Sequence, residues 1–388
     1  MFNKFKKTTS YNIFLVAFIQ GFIGLIALVT NIFIVRFFGK SAFGEYSFYF
    51  GILSLIILIP IFGTSDWMAK YPSMLSLKLS FRKIFIISIF LSICLLFLAI
   101  ILKQPFLVFL IPYILIYPIF TVINNGFRGI KNFLIMNVFV VIRYLIYLIL
   151  ILLLYSFFNN IKVLFIIMAI PPLLLIPFLF KKSNLIPKTS SQIISNKKLF
   201  FLFLIGLNIA FCYYIDKIAL KLFFDFADIG LYTAYANILN ILKLVSSAVI
   251  IVMIPMAVIR RYKLKESLVK LVAFLVPAAA ILAVVSFYVV PWLYGESFIL
   301  ESMALPFAMA LAVIFLNIYI FVNSIYVAEV FYNFKFLLIE FMLSLVVFPF
   351  IFIVLVPYAG ILAMPYSISV ILLLKIMFNI YNINLNRA

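Results

Sequence analysis

The chain has 388 residues, of which 68% are apolar or aromatic and only 10% are charged, with a formal net charge of +20. Soluble domains carry roughly 25% charged residues, so the composition excludes a soluble globular protein. The positive charges sit in short gaps between apolar runs, which reads as topology signals touching anionic lipid and not as nucleic-acid binding.

A helix needs about 20 apolar residues to cross the hydrocarbon core. Twelve such spans are predicted, roughly at 11–36, 46–68, 84–102, 105–127, 133–157, 163–180, 199–222, 229–258, 268–290, 303–327, 336–356 and 358–380. The runs are continuous and do not alternate, so they predict helices, which satisfy their own backbone in lipid, and not a barrel. The first run is too long for a signal-peptide core and reads as a retained span. Prolines inside several spans, Pro112, Pro118, Pro171 and Pro277 among them, predict bent helices.

Every second gap is basic. Lys4, Lys6 and Lys7 precede span one, and Lys70, Lys78, Arg82 and Lys83 follow span two. Arg128 and Lys131 follow span four, and Lys181, Lys182, Lys188, Lys197 and Lys198 follow span six. Arg260, Arg261, Lys263, Lys265 and Lys270 follow span eight, while Lys335 faces Glu329 after span ten. The intervening gaps hold single lysines or the acidic pairs Asp225 with Asp228 and Glu296 with Glu301. The alternation places both termini in the cytoplasm. A polar stretch at 181–198 lies at the midpoint and predicts two lobes, 1–186 with spans one to six and 187–388 with spans seven to twelve.

The two halves share a pattern. Phe37-Phe38, Gly44, Tyr46, Tyr49 and Ile52-Leu53 recur without a gap as Phe223-Phe224, Gly230, Tyr232, Tyr235 and Ile238-Leu239. The offset is 186 residues, 230 minus 44. Both segments follow the first span of their half, which predicts a parallel repeat with a pseudo-twofold axis along the membrane normal.

A charge at the bilayer centre costs about 2.5–3.5 kcal/mol on insertion scales and needs a partner or a wet cavity. Arg143 lies deep in span five and Lys243 deep in span eight, too deep for easy snorkelling. Lys217 and Lys221 are one turn apart in span seven with Asp216 adjacent, and Arg36 ends span one. These five cations are the candidate lining of a cationic cavity. Pairing of Lys217 with Asp216, and snorkelling of Lys221 and Arg36, remain open readings. Stripes of small and polar residues add Asn240 with Ala236, Lys243 and Ser247 in span eight, and Asn31 with Gln20, Gly24 and Ala27 in span one. Such a stripe is either a cavity wall or a helix-packing seam. Asp66, at the inner end of span two, and Asp216 are the candidates for proton or sodium coupling; Glu329 and Glu340 read as interfacial partners of lysines. There is no histidine, and the only cysteines, Cys94 and Cys212, lie inside apolar runs. No metal site, disulfide or cofactor is expected from that inventory, and the usual general base is lacking.

At Phe37-Phe38-Gly39-Lys40-Ser41-Ala42-Phe43-Gly44-Glu45-Tyr46-Ser47 the chain resembles the Wzx-type polysaccharide flippases of the MOP exporter superfamily, with Phe38 where leucine is usual. The second half is similar at Asp216-Lys217-Ile218, Gly230-Leu231-Tyr232 and Tyr294-Gly295-Glu296-Ser297-Phe298. The resemblance implies an all-α membrane protein of two six-helix lobes around a central cavity, in a bacterial cytoplasmic membrane. It implies transport of undecaprenyl-diphosphate-linked glycan between leaflets for surface polysaccharide assembly, alongside other assembly proteins. Its cationic cavity lands on Arg36, Lys217, Lys221 and Lys243, and less directly on Arg143. Two rivals are a cation-coupled drug exporter of the same superfamily, which expects deep acidic residues, and a polysaccharide polymerase or ligase, which needs a sizeable outer loop. The outer gaps here are short and the deepest charges are mainly basic, so a transporter and not an enzyme is expected.

Overall fold

The computed structural model describes residues 2–157, 160–188, 195–244, 264–328 and 334–385. Ser247, Arg260, Arg261, Lys263, Glu329 and much of span eight lie outside the described residues, as does 189–194 of the polar linker. The described residues are helical with short connections: α1 Phe2–Ile56, α2 Leu58–Ile61, α3 Thr64–Lys70, α4 Met74–Ile101, α5 Phe106–Gly129, α6 Phe133–Leu154, α7 Val163–Lys182, α8 Asn196–Leu220, α9 Phe226–Leu239, α10 Leu264–Tyr294, α11 Ala304–Ala328, α12 Phe334–Met342, α13 Phe348–Ala359 and α14 Ala363–Leu385.

Among the described residues, nine helical stretches are long and apolar enough to cross a membrane. Two of them, Phe14–Ile61 with 48 residues and Phe336–Tyr381 with 46, are twice the length of one crossing at about 1.5 Å rise per residue. Each is broken where a crossing must end. Gly39 interrupts α1 with φ 85° and ψ 172°, a region essentially reserved for glycine. Gly360, with φ 53°, separates α13 from α14. The two breaks restore the expected spans one and two, and eleven and twelve.

Span two differs from its predicted range of 46–68. The helix begins again straight after Gly39 and ends at Ile61, because Phe62 and Gly63 take left-handed torsions, φ 41° and 72°. Asp66 is therefore in the separate short helix α3 and not at the end of a span. The third span also starts earlier than predicted. Ser73 caps α4 by accepting from the Ser76 N–H at 3.0 Å, so Lys78, Arg82 and Lys83 ride on the helix and not in a loop.

The chain forms two compact units, Tyr49–Leu207 and a second made of Met1–Phe48 with Asn208–Ala388. Contacts thus group the residues differently from a division at 186/187. In Tyr49–Leu207, α5 is the centre and packs against α3, α4, α6 and α7. At one end of this unit Trp67, Leu199 and Leu202 form a buried cluster with Phe62 and Tyr71 against it. In the other unit α11 lies along α14 and α10, and α9 packs on α10. Large apolar side chains stay outside both cores, for example Ile100 at 75% and Trp292 at 77% exposure. Surfaces of that kind suit hydrocarbon and not water.

The repeat is realised as a contact within the second unit. A Cβ on Gly44 would collide with the Phe226 carbonyl oxygen and sit 2.8 Å from the Gly230 nitrogen. A Cβ on Gly230 would collide with the Lys40 carbonyl oxygen and sit 3.4 Å from the Gly44 nitrogen. Residues 40 and 44 map onto 226 and 230 at the 186-residue offset, so the contact is reciprocal, as a twofold relation requires.

Epitope tags inserted at Lys188 and at Asp228 are expected to report opposite sides of the membrane when probed in intact and permeabilised cells. Labelling of both from one side breaks the topology.

Candidate functional site

Arg143 projects from α6 in Tyr49–Leu207 and is half-buried. Its guanidinium lies 4.6 Å from the Tyr144 ring centroid, 5.0 Å from Tyr117 and 5.6 Å from Phe120. Its Nη1 donates to the Tyr113 hydroxyl at a long 3.4 Å, and Tyr113 stacks on Tyr117 at 4.6 Å. Helix α5 supplies this wall because residues 113, 117 and 120 share one face at helical spacing. Ring faces stabilise a cation that has left bulk water. Its fork, the part that recognises phosphate or carboxylate oxygens, is met here by the neutral hydroxyls of Tyr113 and Tyr117.

In the other unit the structure brings together Asp216, Lys217 and Lys243. Lys217 Nζ lies 3.7 Å from Asp216 Oδ1, and both residues are buried. The Lys217 N–H also donates to that carboxylate at 2.8 Å, and the Tyr232 hydroxyl bonds it too. Lys243 Nζ sits 5.0 Å over the Tyr213 ring, with Asp216 and Lys217 as its charged neighbours. Lys217 is thus paired with the carboxylate, and Lys243 lies within electrostatic reach of both. Asn240 closes α9, and its buried Oδ1 has no hydrogen-bond partner among the described residues.

The remaining candidates stand elsewhere. Arg36 is exposed and donates to the Leu293 carbonyl oxygen at 3.5 Å. Lys221 lies 4.0 Å over the Phe226 ring. Asn31 is half-buried on α1. From the small-residue stripe that includes it, Gly24 abuts Leu244, which makes that position a packing seam. Asp66 belongs to an interhelical charge cluster with Arg128, at the end of α5, and Lys70. Burial pushes the Asp66 carboxyl up, against the pull of Arg128 and Lys70. Burial likewise lowers the Lys70 ammonium, against the pull of Asp66.

A second polar centre escaped the sequence reading. Lys375, on α14, is fully buried. Its Nζ donates to Asn208 Oδ1 at 3.4 Å and lies 3.5 Å from Cys212 Sγ and 5.2 Å over the Tyr319 ring. The same tyrosine donates through its hydroxyl to Glu340 Oε1 at 2.6 Å, and Asn379 Nδ2 donates to that oxygen at 3.3 Å. Glu340 is 1% exposed and has Lys375 as its charged neighbour. A π-helical turn, Leu343–Val347, begins three residues after Glu340; such turns recur at functional positions. A signal for Lys375 was present, since it lies inside span twelve, five residues from its end, as Lys217 lies in span seven.

No family model and no curated protein matches the chain. Solved structures do match it. The MATE multidrug transporter DinF-BH aligns with a TM-score of 0.66 and 13% identity, over 98% of this chain and 95% of that one. The lipid II flippase MurJ, in an inward-closed conformation, aligns with a TM-score of 0.65 and 15% identity, over 96% of this chain and 87% of that one. The eukaryotic MATE transporter AtDTX14 gives 0.62 and 14%, over 97% and 95%. At these identities the likeness is one of fold. The chain is a multi-pass, all-helical membrane protein that shares the fold of these solved structures over nearly its whole length.

Removing Lys375 leaves Glu340 buried without its cation. Lys375→Met is expected to cost roughly 3–5 kcal/mol of stability, read as a lowered Tm of the purified protein. Adding Glu340→Gln should recover part of that loss, because coupled neighbours are not additive. Strict additivity of the two changes would show that the charges do not communicate.

Proposed function

We propose that the protein is a flippase for a lipid carrying an anionic, diphosphate-linked oligosaccharide, of the undecaprenyl-diphosphate type. On this reading it moves that lipid from the inner to the outer leaflet of a bacterial cytoplasmic membrane for surface polysaccharide assembly. The observation that carries the reading is Arg143: a half-buried guanidinium walled by tyrosine and phenylalanine rings, with a phenol and not a carboxylate at its fork. A diphosphate head group cannot enter hydrocarbon without substitutes for its lost water hydrogen bonds. Arg143, and the net-positive Lys217–Lys243–Asp216 cluster, offer such substitutes. Asn31 and Asn240 are proposed to add neutral hydrogen bonds to sugar hydroxyls. Arg36 and Lys221 are proposed to draw the head group in by charge.

The proposal includes two six-helix lobes, 1–186 and 187–388, with both termini cytoplasmic and the prenyl tail left in lipid. Asp66 and Asp216 are its candidates for coupling to protons or sodium. Partners would be the lipid-linked glycan, membrane lipids and other assembly proteins. The second reading, a cation-coupled drug exporter, is favoured by one observation: the sealed carboxylate of Glu340, an acidic group of the kind such exporters need.

In a strain lacking the gene, lipid-linked glycan is expected to accumulate on the inner leaflet, and the wild-type chain should clear it. Arg143→Ala and Lys243→Ala should each abolish surface glycan while the protein stays in the membrane. Arg143→Lys keeps charge but loses the fork, and about a tenfold loss of export is expected. Normal surface glycan in both alanine variants would overturn the anion-binding reading. Cation-dependent efflux of a lipophilic dye by the purified chain in liposomes would favour the exporter.

A further inference from the structure

Helix α4 has two faces of different character. Its buried face carries Ser76, Ser80, Ser88 and Ser92, small residues that let it lie close to α5. Its exposed face reads Lys78, Arg82, Phe85, Ile89 and Ile93, at helical spacings of three and four. Two cations one turn apart thus run without a polar break into a column of exposed apolar side chains. More charge is gathered beside them. Phe81 packs on Phe180 at 5.1 Å, which sets the end of α7, with exposed Lys181 and Lys182, against the same turn of α4. The Met74 N–H donates to the Pro187 carbonyl oxygen at 2.8 Å, and Lys83 Nζ donates to Asn196 Oδ1 at 2.6 Å. These bonds hold the polar linker and the start of α8 at the same place. Residues 49–207 contain fourteen lysines and arginines and a single acid, Asp66. Arg128 and Lys70 are the charged neighbours of Asp66, so this unit has no carboxylate left for the exposed cations.

We propose that Lys78 and Arg82, with Lys181 and Lys182 beside them, form a seat for one anionic phospholipid, its phosphate at the cations and an acyl chain along Phe85, Ile89 and Ile93. This goes beyond the transport reading above and needs no particular transported molecule. Basic loops attract anionic lipid diffusely; a seat requires a head site and a tail wall in line, and one face of α4 provides both. Ile93 is eleven residues beyond Arg82. At about 1.5 Å per residue that is about 16 Å, which matches the hydrocarbon depth of one leaflet, about 15 Å. Arg82 brings a fork that fits two phosphate oxygens, and the lysines add point charges around it. Leu75 and Leu79 are exposed among the cations, a mixture that suits the boundary between headgroups and hydrocarbon. An acidic protein could reach the cations but not the column, which continues to hydrocarbon depth.

The test uses the full chain in detergent micelles with Phe90→Trp as reporter, an exposed position on α4. Phospholipids brominated on the acyl chain are the quenchers, and the signal of Trp67 and Trp292 is measured in the parent and subtracted. Each basic side chain in contact with an anionic head is expected to favour binding about fivefold. Phosphatidylglycerol should therefore quench at about 25-fold lower concentration than phosphatidylcholine when Lys78 and Arg82 both engage it. Lys78→Gln and Arg82→Gln should each cut that preference about fivefold, and the pair together should remove most of it. These exposed changes leave the buried face of α4 intact. Lys103→Gln, just beyond the far end of α4, should leave the preference unchanged. Equal quenching by the two lipids, or the same loss from Lys103→Gln as from Arg82→Gln, would overturn the proposal. Binding of poly-glutamate at the cations with no lipid preference would also overturn it, and would assign the face to an acidic protein. The readout contains no glycan, so a failure of the flippase assay leaves the seat standing, and its own failure leaves that assay untouched.

Discussion

Charge placed among apolar helices must find a partner inside the protein, and this constraint organises everything else in the structure. Each deep cation is met by something chosen to keep it soluble in place. Arg143 is surrounded by aromatic faces. Lys217 is given a carboxylate on the next residue. Lys375 is given an amide, a thiol and a phenol ring. These solutions differ in what they leave over. A carboxylate neutralises, whereas a ring face stabilises the charge without neutralising it. The aromatic setting of Arg143 thus differs from the Lys375–Tyr319–Glu340–Asn379 network, which is close to closed and joins the three helices α11, α12 and α14.

Most of the architecture was legible because hydrophobic length is a strong signal in a membrane. The runs near 105–127 and 133–157 became α5 and α6 with small changes at their ends. The misplacements have local causes. Span two began early because a single glycine torsion turns the backbone with no loop at all, leaving no polar gap in the sequence to mark it. It ended early because Phe62, an apolar residue, adopts a left-handed conformation that pattern reading assigns to glycine or asparagine. The polar start of α4 was invisible to hydropathy because its lysines and Arg82 occupy the exposed face of a helix and resemble a loop in composition.

The site was legible in kind but not in arrangement. Depth along a span singled out Arg143 and Lys243, and adjacency linked Lys217 with Asp216. Nothing in the sequence could show that Tyr113, Tyr117 and Tyr144 converge on Arg143, since aromatic residues make up 19% of the chain and a tyrosine at any one place carries little information. The burial of Glu340 was hidden for a related reason: position near the start of a run does not reveal it when Asn379 and Tyr319, from distant segments, close over the carboxylate.

The internal repeat explains a feature that either half alone would leave arbitrary. Where two copies of a segment meet about a twofold relation, a position near the axis faces its own counterpart, and both copies must satisfy the same steric limit. Gly44 and Gly230 meet that limit identically, because any Cβ on one strikes backbone of the other. One turn earlier the constraint is on the carbonyl alone, and the side chains have diverged. Lys40 reaches outward to the Ser297 carbonyl oxygen, while its counterpart Phe226 packs on Phe48 at 5.9 Å and lies 4.0 Å beneath the Lys221 ammonium. The backbone approach has thus stayed symmetric where symmetry is enforced by volume. The charges have become one-sided where it is not.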